Sequence, residues 1–235
     1  MRHNHGISSC SSRRTNASNS SREVLPFTPH AGKPGTIIRA PPSVSFAASS
    51  TIKSVAFRRV YDCGDLPAAV LHDSQGRKIS WKTNPDTLDP TIYVPLFLDG
   101  LCETSKPYDV LSRSGSYDLI GRFCDRIPGF IQLVVSPIRR AFNSRNPQII
   151  CVTLTALEQI AQSSRESGKA LIPYLRVLLP VLNMFRTSKA SCCNRKRALS
   201  DHVLEALEAL EKSGGPSAYA AIKYMVPTYE SCISR

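Results

Sequence analysis

Residues 171–185 form a segment that would be apolar on nearly every side of a helix. Only Arg176 and Asn183 are strongly polar within it, so other parts of the protein must cover several faces of such a helix. The segment also contains Pro173 and Pro180, and the second of these is expected to kink the helix. This stretch therefore predicts an assembly of several helices around it.

Three residue pairs predict where further helices begin. In each pair an Asp, Asn or Gly precedes a proline, as in Asp89-Pro90, Asn146-Pro147 and Gly215-Pro216. The first residue can cap the free N–H groups of a helix, and proline suits the first helical position. After Asn146, apolar residues recur at helical spacing from 149 to 160, and Gly168 is predicted to stop this helix.

Another helix is predicted to begin at Ser200-Asp201 and to end at Gly214. Glu208 and Lys212 stand four positions apart on its exposed face, where they can form an ion pair. The residues predicted to form its buried stripe are Val203, Leu204, Leu207 and Leu210.

Taken together, these signals predict an all-α domain over residues 53–235 with about seven or eight helices. Consecutive helices that each need cover favour an α-solenoid of the HEAT or armadillo type. Because the sequence repeat is weak, an irregular helical bundle is the structural alternative. Residues 77–82 are the one stretch that suggests a short strand or an extended turn.

Residues 1–52 differ from the rest and are predicted to form a basic, low-complexity N-terminal arm, disordered or extended. Ser and Asn clusters and five prolines leave too little apolar surface to offset the entropy of ordering. Residues 1–60 carry nine Lys or Arg and a single acid, in a chain of net charge +12. Such a charge favours an acidic partner, which can be a protein, a nucleic acid or an anionic membrane surface.

The eight cysteines suggest neither disulfides nor a metal site. The first 22 residues lack the apolar run of a secretion signal, so reduced thiols in the cytoplasm are expected. No C-x-x-C pair or Cys/His cluster has the spacing of a zinc site, so no metal is expected. The cysteines predicted to be small core residues are Cys63, Cys102, Cys124 and Cys151.

Motifs of common catalytic sites are absent, including G-x-S-x-G, H-E-x-x-H and the glycine-rich phosphate loops. In the predicted folded part, His72 is expected to end a helix and His202 to be exposed in the first turn of one. Trp81, the only tryptophan, is expected to anchor the core. The sequence thus predicts a binding protein and not an enzyme, with no cofactor and no membrane span.

Five stretches, taken in order, resemble the parkin co-regulated protein family. They are residues 57–82 (FRRVYDCGDLPAAVLHDSQGRKISWK), 93–104 (YVPLFLDGLCET), 146–160 (NPQIICVTLTALEQI), 168–185 (GKALIPYLRVLLPVLNMF) and 222–232 (IKYMVPTYESC). Their length and order carry the resemblance, since no single motif is catalytic. Residues 112–126, residues 187–199 and the arm do not match, which suggests a divergent member or a paralogue.

The resemblance implies a HEAT- or armadillo-like fold and a place in the cytoskeleton. Members of the family are structural proteins of motile cilia and flagella. They lie inside the axonemal doublet microtubule, at the inner junction between A- and B-tubules. There they contact α/β-tubulin of both tubules and neighbour a small β-sandwich junction protein and other microtubule inner proteins.

Tubulin is acidic, so the candidate contacts are basic residues of the arm, of the start of the domain and of a helix linker. They are Arg13, Arg14, Arg22, Lys33, Arg39, Lys53, Arg58, Arg59, Arg195, Lys196 and Arg197. The run 195–197 can also be a solvated loop or a nuclear-import signal. Two other functions stay open: a soluble helical-repeat adaptor, and a nucleic-acid-binding helical repeat. The second is less favoured because the helical part lacks a basic stripe with interleaved aromatics.

Overall fold

A computed structural model describes residues 53–73, 76–186 and 198–233 of the chain. The predicted arm (1–52) and most of the 187–199 segment lie outside the described residues. The helices are α1 (Val55–Asp62), α2 (Pro90–Asp99), α3 (Tyr108–Arg122), α4 (Ile131–Asn143), α5 (Pro147–Ser163), α6 (Arg165–Leu171), α7 (Leu175–Asn183), α8 (Leu199–Gly214) and α9 (Pro216–Met225). The described part is mostly helical, which confirms the all-α class, and the predicted helix count holds if the short α6 is left out.

One β-hairpin interrupts the helices. Strands β1 (Ala68–Asp73) and β2 (Gly76–Trp81) pair antiparallel, with Ala68 opposite Trp81. The strand suggested at 77–82 is thus confirmed, but β1 was not foreseen, and His72 lies in β1 and does not end a helix. The run Ala-Ala-Val-Leu in β1 has no strong strand signal of its own, and pairing with β2 and packing on α3 decide its conformation.

Three helices begin where a capping residue followed by proline predicts a start. Asn146 Oδ1 accepts a hydrogen bond from the Gln148 N–H at 2.9 Å, and α5 begins at Pro147. Asp89 caps α2 in the same way, through the Thr91 N–H at 2.9 Å. The predicted pairs before α2 and α5, and Gly215 before α9, are confirmed as starts.

Gly168 does not stop a helix, contrary to the prediction. The helix α5 ends at Ser163, and Ser164 caps α6 by accepting from the Glu166 N–H at 3.2 Å. Gly168 lies inside α6, where an added Cβ would come within 2.5 Å of the Ser213 side chain on α8. The glycine therefore allows two helices to approach closely.

Two apolar segments with two prolines each, residues 127–143 and residues 172–183, divide into a short 3-10 turn and an α-helix. Turns at Ile127–Phe130 and Ile172–Tyr174 accommodate the first proline of each segment. Pro137 and Pro180 then lie inside α4 and α7. Four leucines of α7 are buried against neighbouring helices, as its apolar composition requires. By contrast, Leu204 of α8 was predicted to be part of the buried stripe but is 41% exposed, so the prediction is wrong for this residue.

Helices pack in two rows. One row runs α2, α4, α7, α9 and the other runs α3, α5, α8, each helix contacting the next. The rows meet where α2 packs on α3, α4 on α5 and α8 on α9. Most buried apolar side chains join in one continuous core between the rows. Within the described ranges, no helix combines the length and the apolar character needed to cross a bilayer.

Candidate partner-binding surface

Three of the predicted binding residues lie in the described part of the chain. Lys53 and Arg59 are exposed, and Arg58 is half-buried. Arg13, Arg14, Arg22, Lys33, Arg39, Arg195, Lys196 and Arg197 lie outside it.

Ser54 fixes the point where the helical domain begins. Its Oγ accepts from the Phe57 N–H at 3.1 Å, which caps α1. The same hydroxyl donates to Asp99 Oδ2, and the Ser54 N–H donates to Glu103 Oε1 at 2.7 Å. Ser54, Asp99 and Glu103 are all buried. Two carboxylates, Asp99 at the end of α2 and Glu103 just after the following 3-10 turn, therefore hold the start of α1 in place.

Arg58 is tied into the same cluster. Its Nε donates to Glu103 Oε1 at 2.8 Å and its Nη2 to Glu103 Oε2 at 2.5 Å, while Nη2 also donates to Ser105 Oγ at 2.7 Å. The guanidinium lies 4.5 Å from the centre of the Tyr108 ring. The hydrogen bond with Glu103 raises the pKa of Arg58. Arg58 thus compensates a buried carboxylate, and a direct role in binding a partner stays a prediction.

Arg140 of α4 completes the cluster, and sequence reasoning missed it. Its Nη1 pairs with Asp99 Oδ1 while about half of the side chain, 48%, remains exposed. No local pattern marks this residue, because it joins a carboxylate 41 positions away. The residues Ser54, Arg58, Asp99, Glu103 and Arg140 together form what is called here the arm anchor. It fixes the start of α1 on the helical domain, directly after the predicted arm in the sequence.

A groove opens between α9 and the turn that leads into α7. It has a volume of about 620 Å³ and is lined on one side by Ile172, Pro173 and Arg176. Residues of α9 form the other side, among them Tyr224, whose side chain is 80% exposed. This α7–α9 groove was not predicted from the sequence.

Two polar contacts between side chains concern residues that the sequence singled out. His202 was predicted to be exposed, but it is buried where α8 packs on α5, with Nε2 3.3 Å from Glu158 Oε1. Trp81 was predicted to anchor the core. Its Nε1 donates to Asp118 Oδ2 at 2.6 Å and its ring packs against Phe97, which confirms that prediction.

The cysteines divide between core and surface. Cys102 is buried as predicted, and burial raises the pKa of its thiol to about 12. Cys124 is half-buried. Cys63 is exposed, contrary to the prediction, because it follows the last turn of α1 in a surface turn with the exposed Asp62, Gly64 and Asp65. Cys151 is buried as predicted.

The described geometry offers binding surfaces. Across residues 53–73, 76–186 and 198–233, no group of three or more His, Cys, Asp or Glu is placed to hold a metal ion. A polar cavity beside α3, lined by Glu103, Asp109 and Arg113, has a volume of only about 50 Å³. That volume suits ordered water and not an organic ligand. The α7–α9 groove, with a volume of about 620 Å³, is large enough to serve a contact with another macromolecule.

Comparison of the sequence with known proteins identifies a family and a relative. A family model described as parkin co-regulated protein matches residues 55–231, a range that includes the nine helices found among the described residues. The match extends over 112–126 and 187–199, where the motif resemblance had lapsed. A protein of Mus musculus, the parkin coregulated gene protein homolog, is 40% identical over 214 residues, covering 88% of this chain and 89% of that protein.

Proposed function

The chain belongs to the parkin co-regulated protein family, and on that premise we propose that it is a structural, microtubule-binding protein of the axoneme. In this proposal it binds tubulin at the inner junction of the doublet, where the B-tubule closes on the A-tubule, and stabilises the doublet for ciliary or flagellar motility. Its neighbours there would be tubulin of both tubules, a small β-sandwich junction protein and other microtubule inner proteins. The family match across the helical domain carries the proposal.

A solenoid scaffold is part of the proposal. The two rows of helices, with α2–α3 and α4–α5 as cross-row pairs, are the arrangement expected of stacked HEAT- or armadillo-like helical hairpins. Such a stack presents long side surfaces, which suit a protein that contacts several neighbours at once and has no catalytic cleft.

Electrostatics supports tubulin as the partner. Residues 1–60 carry nine Lys or Arg and one acid, and this positive charge would be attracted to the acidic tubulin surface. Each exposed ion pair contributes less than about 1 kcal/mol, so many such contacts are needed and all weaken with salt. If extended, the arm would span on the order of 150 Å, enough to follow the lattice past several protofilaments. The arm anchor would give it a fixed point of departure.

Detergent extraction of ciliated cells that make the tagged chain tests this proposal against its alternatives. A lattice component is expected to stay with the axonemes when membranes and soluble proteins are removed, and to be released only when the doublets dissolve. A soluble adaptor would leave with the detergent fraction. Release by nuclease would point to the nucleic-acid-binding alternative. Either of those two outcomes would contradict the axonemal proposal.

A further inference from the structure

We propose that the α7–α9 groove is a docking site for an extended, acidic peptide segment of a partner protein. The inference goes beyond the proposed function, because it assigns a contact to α7 and α9 in addition to the basic residues proposed to bind tubulin. It does not require that the partner be tubulin.

Shape favours an extended peptide over a folded surface. The groove of about 620 Å³ lies between the Ile172–Tyr174 turn and α9. Ala220 and Ala221 line the α9 side, and their short side chains leave the space open. A second cavity of about 380 Å³ shares Arg176 and Tyr224 with the first, so the groove continues past the tyrosine. A peptide strand with a protruding side chain fits such a channel.

Tyr224 would supply the apolar contact to the bound peptide. On α9 and just after it, Ile222 and Val226 are fully buried, which fixes the rotation of the helix. Tyr224 lies off that buried stripe and is 80% exposed at the edge of the groove. Tyrosine and arginine are the residue types most enriched where binding energy concentrates, and here they stand side by side.

Charge favours an acidic occupant. Arg176 is the one charged residue among those lining the groove, and the ion pairs of the described residues do not include it. An arginine in a partly apolar setting binds a carboxylate through paired, charge-assisted hydrogen bonds. A carboxylate next to an apolar side chain would therefore satisfy both Arg176 and Tyr224.

The chain itself is a poor source of this occupant. Residues 1–52 contain six Lys or Arg against the single acid Glu23, and residues 187–197 contain four Lys or Arg and no acid. Either segment would bring positive charge to Arg176 and be repelled. A different, acidic protein matches the groove better than any of these segments does.

Selection from a random peptide library displayed on phage, with the full chain as bait, tests the proposal. Enriched peptides should carry Asp or Glu beside an aromatic or large aliphatic residue. Synthetic fluorescent copies of them should bind at least about tenfold more weakly to Arg176→Glu and to Tyr224→Ala than to the unmodified chain. Both side chains are exposed, so neither change should unfold the protein.

Arg139→Glu and Leu133→Ala serve as matched controls, because both residues are exposed on α4 away from the groove lining. These two variants should bind the peptides as the unmodified chain does. The proposal is overturned if the peptides are neutral or basic, if no peptide is enriched, or if the groove and control variants bind alike. Self-association that disappears in Tyr224→Ala would overturn it in favour of a second copy of the chain.

Discussion

Gly115→Ala is expected to lower the free energy of unfolding by about 3 kcal/mol, or to prevent folding. Gly115 is buried in α3, and a Cβ there would overlap the ring of Phe97 from α2. The ring cannot move aside, because Phe57 and Trp81 pack against it with centroids 5.5 and 5.6 Å away. A single methyl group therefore forces α2 and α3 apart. Chemical denaturation followed by circular dichroism measures the loss.

Gly121→Ala is the matched control in the same helix. Gly121 is exposed, and the nearest atom that its Cβ would meet is Gln159 Nε2 at an ordinary 3.6 Å. Alanine is the better helix former there, so this change should raise stability by roughly 0.5–1 kcal/mol. Equal stability of the two variants would show that α2 and α3 do not pack as described.

Glu211→Gln is expected to cost about 3 kcal/mol of stability at neutral pH. Glu211 is buried on α8 and accepts hydrogen bonds from Tyr229 Oη at 2.7 Å, from the Cys232 N–H at 2.9 Å and from Ser231 Oγ. These bonds hold the C-terminal segment against α8. An amide removes the charge that strengthens them and places N–H donors beside other donors.

Lowering the pH should also destabilise the unmodified chain, because it protonates the carboxylate of Glu211. Burial by itself would raise the pKa of Glu211, but hydrogen bonds from Ser231, Cys232 and Tyr229 outweigh it and lower the pKa to about 2. The folded pKa lies below the ordinary value of 4.5, so the stabilisation is complete above pH 4.5 and is lost as the pH falls towards 2. The stability gap between the two proteins, large at pH 7, should therefore narrow below pH 4.5.

Glu208→Gln controls for the loss of one acid on the same helix. Glu208 faces the surface and pairs with Lys212 at 3.6 Å, so its neutralisation should change stability by at most about 0.5 kcal/mol. A gap between unmodified chain and Glu211→Gln that does not depend on pH would contradict the assigned role of the carboxylate.

Sequence signals predicted correctly those features of the structure that depend on neighbouring residues in the chain, such as helix caps and ion pairs within one helix. The cap at Asn146, the proline at position 147 and the Glu208–Lys212 pair each involve residues at most four positions apart, and each is confirmed. Gly168 and His202 were misjudged because each is placed by a neighbouring helix, α8 and α5 respectively. Single-helix patterns carry no information about such neighbours.

The candidate binding surface was only partly predictable, for the same reason. A count of charges selects Arg58, but it cannot distinguish an exposed cation from one that compensates the buried carboxylate of Glu103, 45 positions away. Arg140 was missed because its partner lies on another helix. Tyr224 did leave a signal that was overlooked. It falls off the buried stripe that Ala218 and Ile222 define on α9, which indicates exposure.

Co-sedimentation with microtubules across a salt series tests the proposed function most directly, with the full chain beside a chain that begins at Lys53. The proposal predicts saturable binding of the full chain that weakens as salt rises, and clearly weaker binding when residues 1–52 are removed. Absence of binding by either form even at low salt would contradict a direct contact with tubulin, and the soluble adaptor would then become the better explanation.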